Sequence, residues 1–480
     1  MKEMYCDAAV VACGAGGLAA CAQASELGLK VIGIEKGKKT GGAANAGMGL
    51  LGLDTDVQKR DLNSVTLEHA FRMFMDYTHW RVDANLVRNY FGKSADTIRW
   101  LEDMGVEFYK AARYFPGSEA TWHIVMPENR KPGPGCAGTM MKILTEHARD
   151  LGTEFLMETS AQHLLMEDGR VCGVRCLDKD GEEIVIHAGA VIIATGGFGG
   201  NKEEVLKRTG FTYDKDFFGF CLPNMQGDGI RMAREAGAAK TEESMALAVS
   251  TAGGLKESIR TAFHQPNLLV NYQGDRFFNE EFFENSTFAA NACNLQQGRC
   301  GIMVIDDRIR DLYENHGVDV SSYVLNRMSA EGFSEDFEKA LQKNPYIAKA
   351  DTLEELAEKM GIDKENFLRT VETYNHYCDT HDEQFGKRQD YLRPIRTAPF
   401  YACKFFPGAY GTLGGIKINH RTEVLTEDYR VIPGLYAAGT DTCTIYGDSY
   451  MFKLPGNSMG YSVNTGRMAA EGAAEYIRTI

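Results

Sequence analysis

A glycine-rich turn near the start of the chain and an acidic residue that follows it have the spacing of a dinucleotide site. The turn has glycine at its first and third positions and alanine at its sixth, over residues 14–19. Gly14 permits a tight turn after a strand, Gly16 lets the backbone approach a pyrophosphate, and Ala19 keeps helix and strand close. The phosphates would lie at the helix N-terminus, where free N–H groups favour negative charge. Glu35 ends the next apolar run and is placed to accept the adenosine ribose hydroxyls, which argues against a 2′-phosphate.

Three further glycine-rich segments follow in order along the chain, at residues 41–47, 194–201 and 432–440. The first of them is surrounded by Ala, Met and Leu rather than by Ser and Lys, so it suits close approach to a ligand better than a flexible surface loop. Near the C-terminus, residues 455–459 read as the start of the final helix, whose N–H groups would stabilise the negative charge of a reduced flavin. Four motifs, namely the first glycine turn, Glu35 and the segments at residues 194–201 and 432–440, together predict that the chain wraps around one extended dinucleotide, FAD.

The elements that must position these segments are those of an α/β fold. Apolar runs at residues 8–12 and 30–34 predict parallel strands, and residues 18–27 predict the helix between them. We expect further helices at residues 64–77, 83–104 and 139–151, a strand at 154–157, a hairpin at 161–167 and 170–177, and a strand at 183–187 before the apolar residues 190–194.

Glycine-rich motifs are absent from about residue 251 and return at residue 411. Polar segments with helical patterns lie between them, at residues 336–342, 352–360 and 364–378. The sequence therefore predicts a discontinuous Rossmann-like FAD-binding domain, residues 1–250 and 411–480, interrupted by an inserted α+β capping domain, residues 251–410.

Length, charge and cysteine content limit the classes of protein to which this chain can belong. The chain has 480 residues, so two or more domains are expected. Its 52 basic and 66 acidic residues give a net charge of −14, which disfavours nucleic acid and anionic membranes as partners. We expect neither a signal peptide nor a membrane span, since no stretch reaches the roughly 20 apolar residues that a span needs. The 12 cysteines are scattered without a Cys-x-x-Cys pair, so we predict reduced thiols, no metal site and a cytoplasmic protein.

The same four motifs, together with residues 226–233, 268–271 and 276–280, resemble the fumarate reductase/succinate dehydrogenase flavoprotein superfamily, which includes soluble fumarate reductases and 3-ketosteroid dehydrogenases. The resemblance implies that the substrate lies between flavin and cap. Some members attach FAD through a histidine in the glycine loop after the second strand. Because no histidine lies between Gly41 and Leu53, we expect non-covalent FAD. The predicted cofactor-binding residues are Gly14, Ala15, Gly16, Gly17, Glu35, Lys36, Gly41, Gly42, Ala43, Gly47, Ala161, Thr195, Gly196, Asp228, Gly439, Thr440, Asn457, Ser458 and Met459.

This chain departs from the fumarate reductases where those enzymes hold their substrate. They resemble one another in two histidines and several arginines that clamp a dicarboxylate, one arginine acting as proton donor. The corresponding positions here are Val249 or Ser250, Phe263, Glu284 (the proton donor's place), Gly411 and Lys453. Two carboxylates cannot be desolvated without paired charges. We therefore expect a small substrate that is not a dicarboxylate.

Another relative fits the C-terminal loop better. Residues 440–450 have the length and the ending of the ketosteroid dehydrogenase loop, whose tyrosine hydrogen-bonds a substrate carbonyl. Tyr450 is therefore the first candidate catalytic residue, since such a bond polarises an enone. Tyr410 and Tyr446 are candidate proton donors or acceptors, as is Glu284 if burial raises its pKa. Lys453 is a candidate to hold a carbonyl or a single carboxylate.

These observations predict an FAD-dependent oxidoreductase that acts on a carbon–carbon bond next to a carbonyl, with hydride passing through flavin N5. Ene-reduction is favoured over dehydrogenation. No haem motif, second flavin domain or iron–sulfur cysteine set is present, so an external electron donor or acceptor is expected. The alternatives are a reductase of an unsaturated monocarboxylate anchored by Lys453, a non-catalytic flavoprotein subunit that relays electrons, and an enzyme that uses NAD alone.

Overall fold

The computed structural model describes residues 2–322 and 328–480. Its strands are β1 (Lys2–Val11), β2 (Val31–Glu35), β3 (Gly49–Leu51), β4 (Phe108–Ala112), β5 (Trp122–Val125), β6 (Glu154–Met157), β7 (Ser160–Glu167), β8 (Arg170–Leu177), β9 (Glu183–Ile193), β10 (Ser244–Thr251), β11 (Leu268–Val270), β12 (Gly301–Ile305), β13 (Ile347–Ala350), β14 (Phe400–Gly415), β15 (Glu423–Leu425), β16 (Val431–Ala437) and β17 (Thr442–Cys443). Its α-helices are α1 (Ala15–Glu26), α2 (Asp56–Arg60), α3 (Leu67–Tyr77), α4 (Ala84–Asp103), α5 (Ala137–Asp150), α6 (Lys202–Thr209), α7 (Asp228–Glu235), α8 (Glu257–Phe263), α9 (Ser286–Asn294), α10 (Asp307–Asn315), α11 (Phe333–Leu341), α12 (Leu353–Met360), α13 (Lys364–Asp379) and α14 (Asn457–Ile477).

The main sheet has the order β15-β16-β9-β1-β2-β6, and the hairpin β7–β8 joins it along β9. Strands β16, β9, β1, β2 and β6 are mutually parallel. The inner strands read as continuous apolar runs because helices cover both faces of a parallel sheet. The carboxyl ends of β1, β2, β9 and β16 therefore meet at one edge, which is where open α/β sheets bind ligands. The fold class predicted from the sequence is confirmed.

A second, antiparallel sheet has the order β10-β14-β12-β11, with β13 and β17 also paired to β14. Helices α8 to α13 belong to the same part of the chain. The central strand β14 is 16 residues long and continues across the predicted boundary between residues 410 and 411. The domain limits themselves stay a prediction.

Most predicted elements lie within three residues of those in the structure, and two differences have physical causes. Residues 183–193 form one strand, whereas the sequence predicted a break after residue 187. Strand β9 is continuous because β1 pairs with it from Lys2 to Val11. The small sheet β3-β5-β4 was not predicted, since its strands are three to five residues long and lack clear alternation.

Within residues 2–322 and 328–480, no helix combines the length and the hydropathy that crossing a bilayer requires.

Candidate functional site

The four glycine-rich segments converge on one cavity of about 1050 Å³ at the carboxyl edge of the parallel strands. This volume is at the upper end for ligand pockets, which typically span about 300–1,000 Å³. Most of the predicted cofactor residues line it. They are Gly14, Ala15, Gly16, Glu35, Lys36, Gly42, Ala43, Gly47, Ala161, Thr195, Gly196, Asp228, Gly439, Thr440, Ser458 and Met459. Gly17, Gly41 and Asn457 lie behind this lining.

The glycines of the first turn have two different roles, one at the cavity and one in packing α1 against β1. A side chain at Gly14 would meet nothing within 4 Å, so this position opens onto the cavity. At Gly17 an added Cβ would lie 1.8 Å from the carbonyl oxygen of Ala12, so Gly17 lets α1 cross close to β1. Gly17 therefore serves packing and does not line the cavity.

Glu35 ends β2 and is fixed by the backbone. Its Oε2 accepts a hydrogen bond from the Cys13 N–H at 2.9 Å, and its Oε1 accepts one from the Gly37 N–H at 2.7 Å. The carboxylate thus lies in the cavity wall beside the first turn, where ribose hydroxyls could bind it. Next to it, Lys36 Nζ and Asp228 Oδ2 form an ion pair at 2.7 Å.

The turn after β9 is organised by Asp441, which the sequence analysis missed. The fully buried Asp441 carboxylate accepts hydrogen bonds from the N–H of Gly196 at 3.2 Å, the N–H of Gly197 at 2.8 Å, and both the N–H and the hydroxyl of Thr195. Burial raises the pKa of Asp441, and these hydrogen bonds oppose that shift. Both glycines have positive φ, +91° and +83°, so the turn requires glycine. An aspartate just after the last glycine segment was the available signal.

The residues present fit FAD. The N-terminal turn of α1 and that of α14 both border the cavity, through Ala15 and Ser458. Helix N-termini with glycine before them bind the phosphates and the negative edge of a dinucleotide. The buried hydroxyl of Thr412 also lines the cavity and has no hydrogen-bond partner in the described chain, which leaves it for a ligand.

Aromatic residues form a second part of the lining. Tyr410, Tyr446 and Tyr450 all lie there, with Tyr114, Trp122 and Phe452. The Tyr450 hydroxyl accepts a hydrogen bond from the Ser458 N–H at 3.1 Å, and burial raises the pKa of Tyr450. Its proton is therefore retained and can be donated. Tyr410 is half exposed and packs edge-on against Phe220, with ring centroids 4.6 Å apart.

Behind this lining, Asn457 supports the tyrosines instead of contacting the cavity. Its Oδ1 accepts hydrogen bonds from the hydroxyls of Tyr90 at 2.9 Å and Tyr446 at 3.2 Å. Tyr446 is thereby held by the first residue of α14. Tyr90 was not among the residues predicted from the sequence, because it lies 367 residues from Asn457 along the chain.

Neither Glu284 nor Lys453 is part of the cavity lining. Glu284 precedes α9, and burial raises the pKa of its carboxyl to about 8. Lys453 Nζ lies 5.9 Å from the ring centroid of Phe288, in the first turn of α9. The Phe288 ring stacks on Tyr77, whose hydroxyl donates to the Tyr450 carbonyl at 3.0 Å. Phe288 and Tyr77 therefore connect Lys453 to the Tyr450 loop.

Three of the positions that correspond to the fumarate reductase histidines and arginines carry uncharged residues in this chain. Val249 and Phe263 are buried, and the Val249 N–H donates to the Ser286 hydroxyl at 2.9 Å. Gly411 lines the cavity without a side chain. The cationic residues in the lining are Lys36, Lys38 and Lys39, all on the segment after β2.

Comparison with known proteins agrees with this geometry. The family model described as FAD binding domain matches residues 7–459. Vinyl phenol reductase of Lactiplantibacillus plantarum is 34% identical over 98% of this chain and 96% of its own length. NADH:fumarate oxidoreductase of Klebsiella pneumoniae is 29% identical over 98% of this chain, which spans only 48% of that protein.

Solved structures show the same fold. A 3-ketosteroid Δ1-dehydrogenase from Sterolibacterium denitrificans has a TM-score of 0.81 at 20% identity, covering 98% of this chain and 99% of that one. The open form of a flavocytochrome c3 fumarate reductase has a TM-score of 0.70 at 24% identity, covering 99% and 79%. The resemblance and the cofactor predicted from the sequence are confirmed. The chain belongs to the FAD binding domain family and is an FAD-dependent oxidoreductase.

Proposed function

We propose that the enzyme reduces a carbon–carbon double bond that is activated by conjugation, in a small substrate without two carboxylates. Relatives along the whole chain carry the names vinyl phenol reductase and fumarate reductase, and relatives over most of it are named acrylate oxidoreductase and urocanate reductase. Each of these names describes chemistry at an activated alkene. The dehydrogenase direction has a relative too, 3-oxosteroid 1-dehydrogenase, over 74% of this chain.

The main support for this proposal is the distribution of charged residues in the cavity lining. The lining lysines follow β2, beside the Glu35 that fits a ribose. The aromatic part of the lining offers tyrosine hydroxyls and no cation among the described residues. A diacid bound there would be desolvated without counter-charges, which costs several kcal/mol per ion. A neutral or singly charged substrate avoids much of that cost.

Bound FAD supplies hydride chemistry to such a site. The chain's own groups bind and polarise the substrate. The Ser458 N–H occupies one lone pair of the Tyr450 oxygen, so the hydroxyl proton points away from α14 and can be donated to a substrate oxygen. A hydrogen bond of this kind stabilises charge that develops on the activating group during reduction.

Glu284 is the proposed proton donor. With a pKa of about 8, its carboxyl is largely protonated at neutral pH and can give a proton to the carbon chain. Because Glu284 is not part of the cavity lining, its proton would have to reach the substrate through an intervening water. The exposed tyrosine Tyr410 is the second candidate donor.

Turnover of the isolated holoenzyme with reduced methyl viologen tests the proposal. We expect 4-vinylphenol or an enone to be reduced at least tenfold faster than fumarate, and Tyr450→Phe to lower kcat by about 10²-fold. Brisk fumarate reduction would overturn the substrate class. A flavin that is fully reducible while no alkene is consumed would instead favour the electron-relay subunit.

A substrate with one carboxylate is the second candidate, because Lys453 has no acidic partner within the described ranges. NADH:acrylate oxidoreductase of Vibrio harveyi, of which this chain spans 37%, is 29% identical over 82% of this chain. Lys453→Met should then raise KM for acrylate about tenfold and leave that for 4-vinylphenol unchanged. Equal effects on both substrates would remove the anchor role. In either case we propose an external electron donor, non-covalent FAD and a cytoplasmic location.

A further inference from the structure

Four aromatic side chains form a cluster in the cavity wall that the cofactor segments do not account for. We name Tyr114, Trp122, Tyr450 and Phe452 the aromatic box, and all four line the cavity. The Tyr114 ring packs edge-on against Trp122 at 5.6 Å and against Phe452 at 5.4 Å between centroids. Tyr450 and Phe452 are 6.3 Å apart. These distances are those of attractive ring pairs.

The box is held in place from two sides. The Trp122 Nε1–H donates to the Gly49 carbonyl at 3.0 Å, and the ring of Phe115 stacks behind Phe452 at 5.8 Å. Two hydrogen bonds tie the two loops that carry the box. The Glu119 N–H donates to the Lys453 carbonyl at 2.9 Å, and the Thr121 hydroxyl donates to the Pro455 carbonyl at 2.9 Å. A surface fixed in this way binds a rigid ligand with little ordering cost.

The box is also uncharged. The charged residues of the lining are Glu35, Lys36, Lys38, Lys39 and Asp228. All of them lie at the end of β2, on the segment after it or at the start of α7. A neutral wall of ring edges and faces recognises a planar aromatic ring and gains little from a short aliphatic acid.

We propose that the aromatic box binds the aromatic ring of the substrate, so that the preferred substrates are alkenes carried on an aromatic ring. This inference rests on the proposed alkene reductase function. Tyr450 would then both border the ring and donate its hydroxyl proton.

Binding of a product-like ring to the oxidised holoenzyme tests the box without turnover. The probes are 4-ethylphenol and 4-ethylcyclohexanol, which match in size but differ in aromaticity, and the readout is the perturbation of the flavin absorbance. We expect 4-ethylphenol to bind at least tenfold more tightly. Phe452→Leu and Tyr114→Leu should each weaken 4-ethylphenol about tenfold, with unchanged FAD content. The control Tyr109→Leu alters a half-exposed tyrosine of the nearby strand β4 that does not line the cavity, and it should change neither affinity.

Equal binding of the two probes would overturn the ring subsite. So would loss of FAD from Phe452→Leu and Tyr114→Leu without a change in the preference, because the box would then hold the cofactor. Failure of the proposed function looks different. In that case the ring preference persists while no alkene is reduced.

Discussion

Glu284 is a partly buried carboxyl at a position where the resemblance to fumarate reductases implies a proton-donating arginine. Burial raises the pKa of this carboxyl to about 8, and no ion pair of Glu284 occurs within the described ranges. An arginine stays charged at every accessible pH, whereas this acid is protonated below its pKa and loses the proton above it. Proton donation by Glu284, as proposed above, would therefore be sensitive to mildly alkaline pH.

We predict that kcat falls as pH rises through about 8, since only the protonated carboxyl can donate. Glu284→Gln should lower kcat at pH 7 by about 10²- to 10⁴-fold and abolish that pH dependence. Stopped-flow reoxidation of the reduced enzyme by substrate between pH 6 and 10 measures both effects. The control is Glu281→Gln, which changes a nearby acid that forms an ion pair with the exposed Arg388. If Glu284→Gln keeps the wild-type profile, the donor role passes to Tyr410.

Asp441 supports a different prediction at the same scale. Asp441→Asn keeps the size of the side chain but turns one acceptor oxygen into an N–H₂ group facing N–H donors. We expect a loss of about 2–4 kcal/mol in the free energy of unfolding, together with weaker FAD binding. Urea unfolding and FAD titration of the apoprotein check this, and Asp448→Asn on the exposed loop is the matched control. Wild-type stability would mean that the turn after β9 keeps its shape without the carboxylate.

Where α1 crosses β1, we expect one glycine to affect folding stability and another to affect cofactor binding. Gly17→Ala would press a methyl group against the Ala12 carbonyl, so we expect a loss of about 3 kcal/mol or more in apoprotein stability. Gly14→Ala has room in the fold but fills the cavity, so we expect normal apoprotein stability and FAD affinity at least tenfold weaker. Thermal unfolding and FAD titration of both variants give the comparison. The same phenotype for both would contradict the division of roles.

Local sequence patterns predicted the features that are determined by residues close together in the chain. The glycine turn, Glu35, α1 and the start of α14 follow from backbone requirements that are visible in the sequence. Asp441 and Thr195 are 246 residues apart, and nothing in the local sequence joins them. The sheet β3-β5-β4 and the aromatic box likewise arise from tertiary pairing, which single-chain periodicity does not reveal. The non-local partners were therefore the part of the site that was missed.

For the whole molecule, the absence of histidine from residues 41–53 predicts that FAD is held without a covalent bond. Denaturing the yellow holoprotein in acid should release all of its flavin into the supernatant. Added FAD should also stabilise the apoprotein, by about 4 kcal/mol at a thousand times its Kd. Absorbance of the separated fractions and thermal unfolding measure these two outcomes. Flavin that stays with the precipitated polypeptide would show a covalent attachment elsewhere in the chain.

The length of β14 has a consequence for recombining this protein with its relatives. Strand β14 pairs with β12 over residues 401–405 and with β10 over residues 405–413, and its register with β10 shifts between Ala409 and Thr412. A chimera spliced at the apparent domain border would join two halves of a strand whose registers were set by different parents. A crossover in the loop before Phe400 takes the whole of β14 from a single parent. We therefore expect chimeras with that crossover to fold, and to exchange substrate preference, more readily than chimeras joined within the strand.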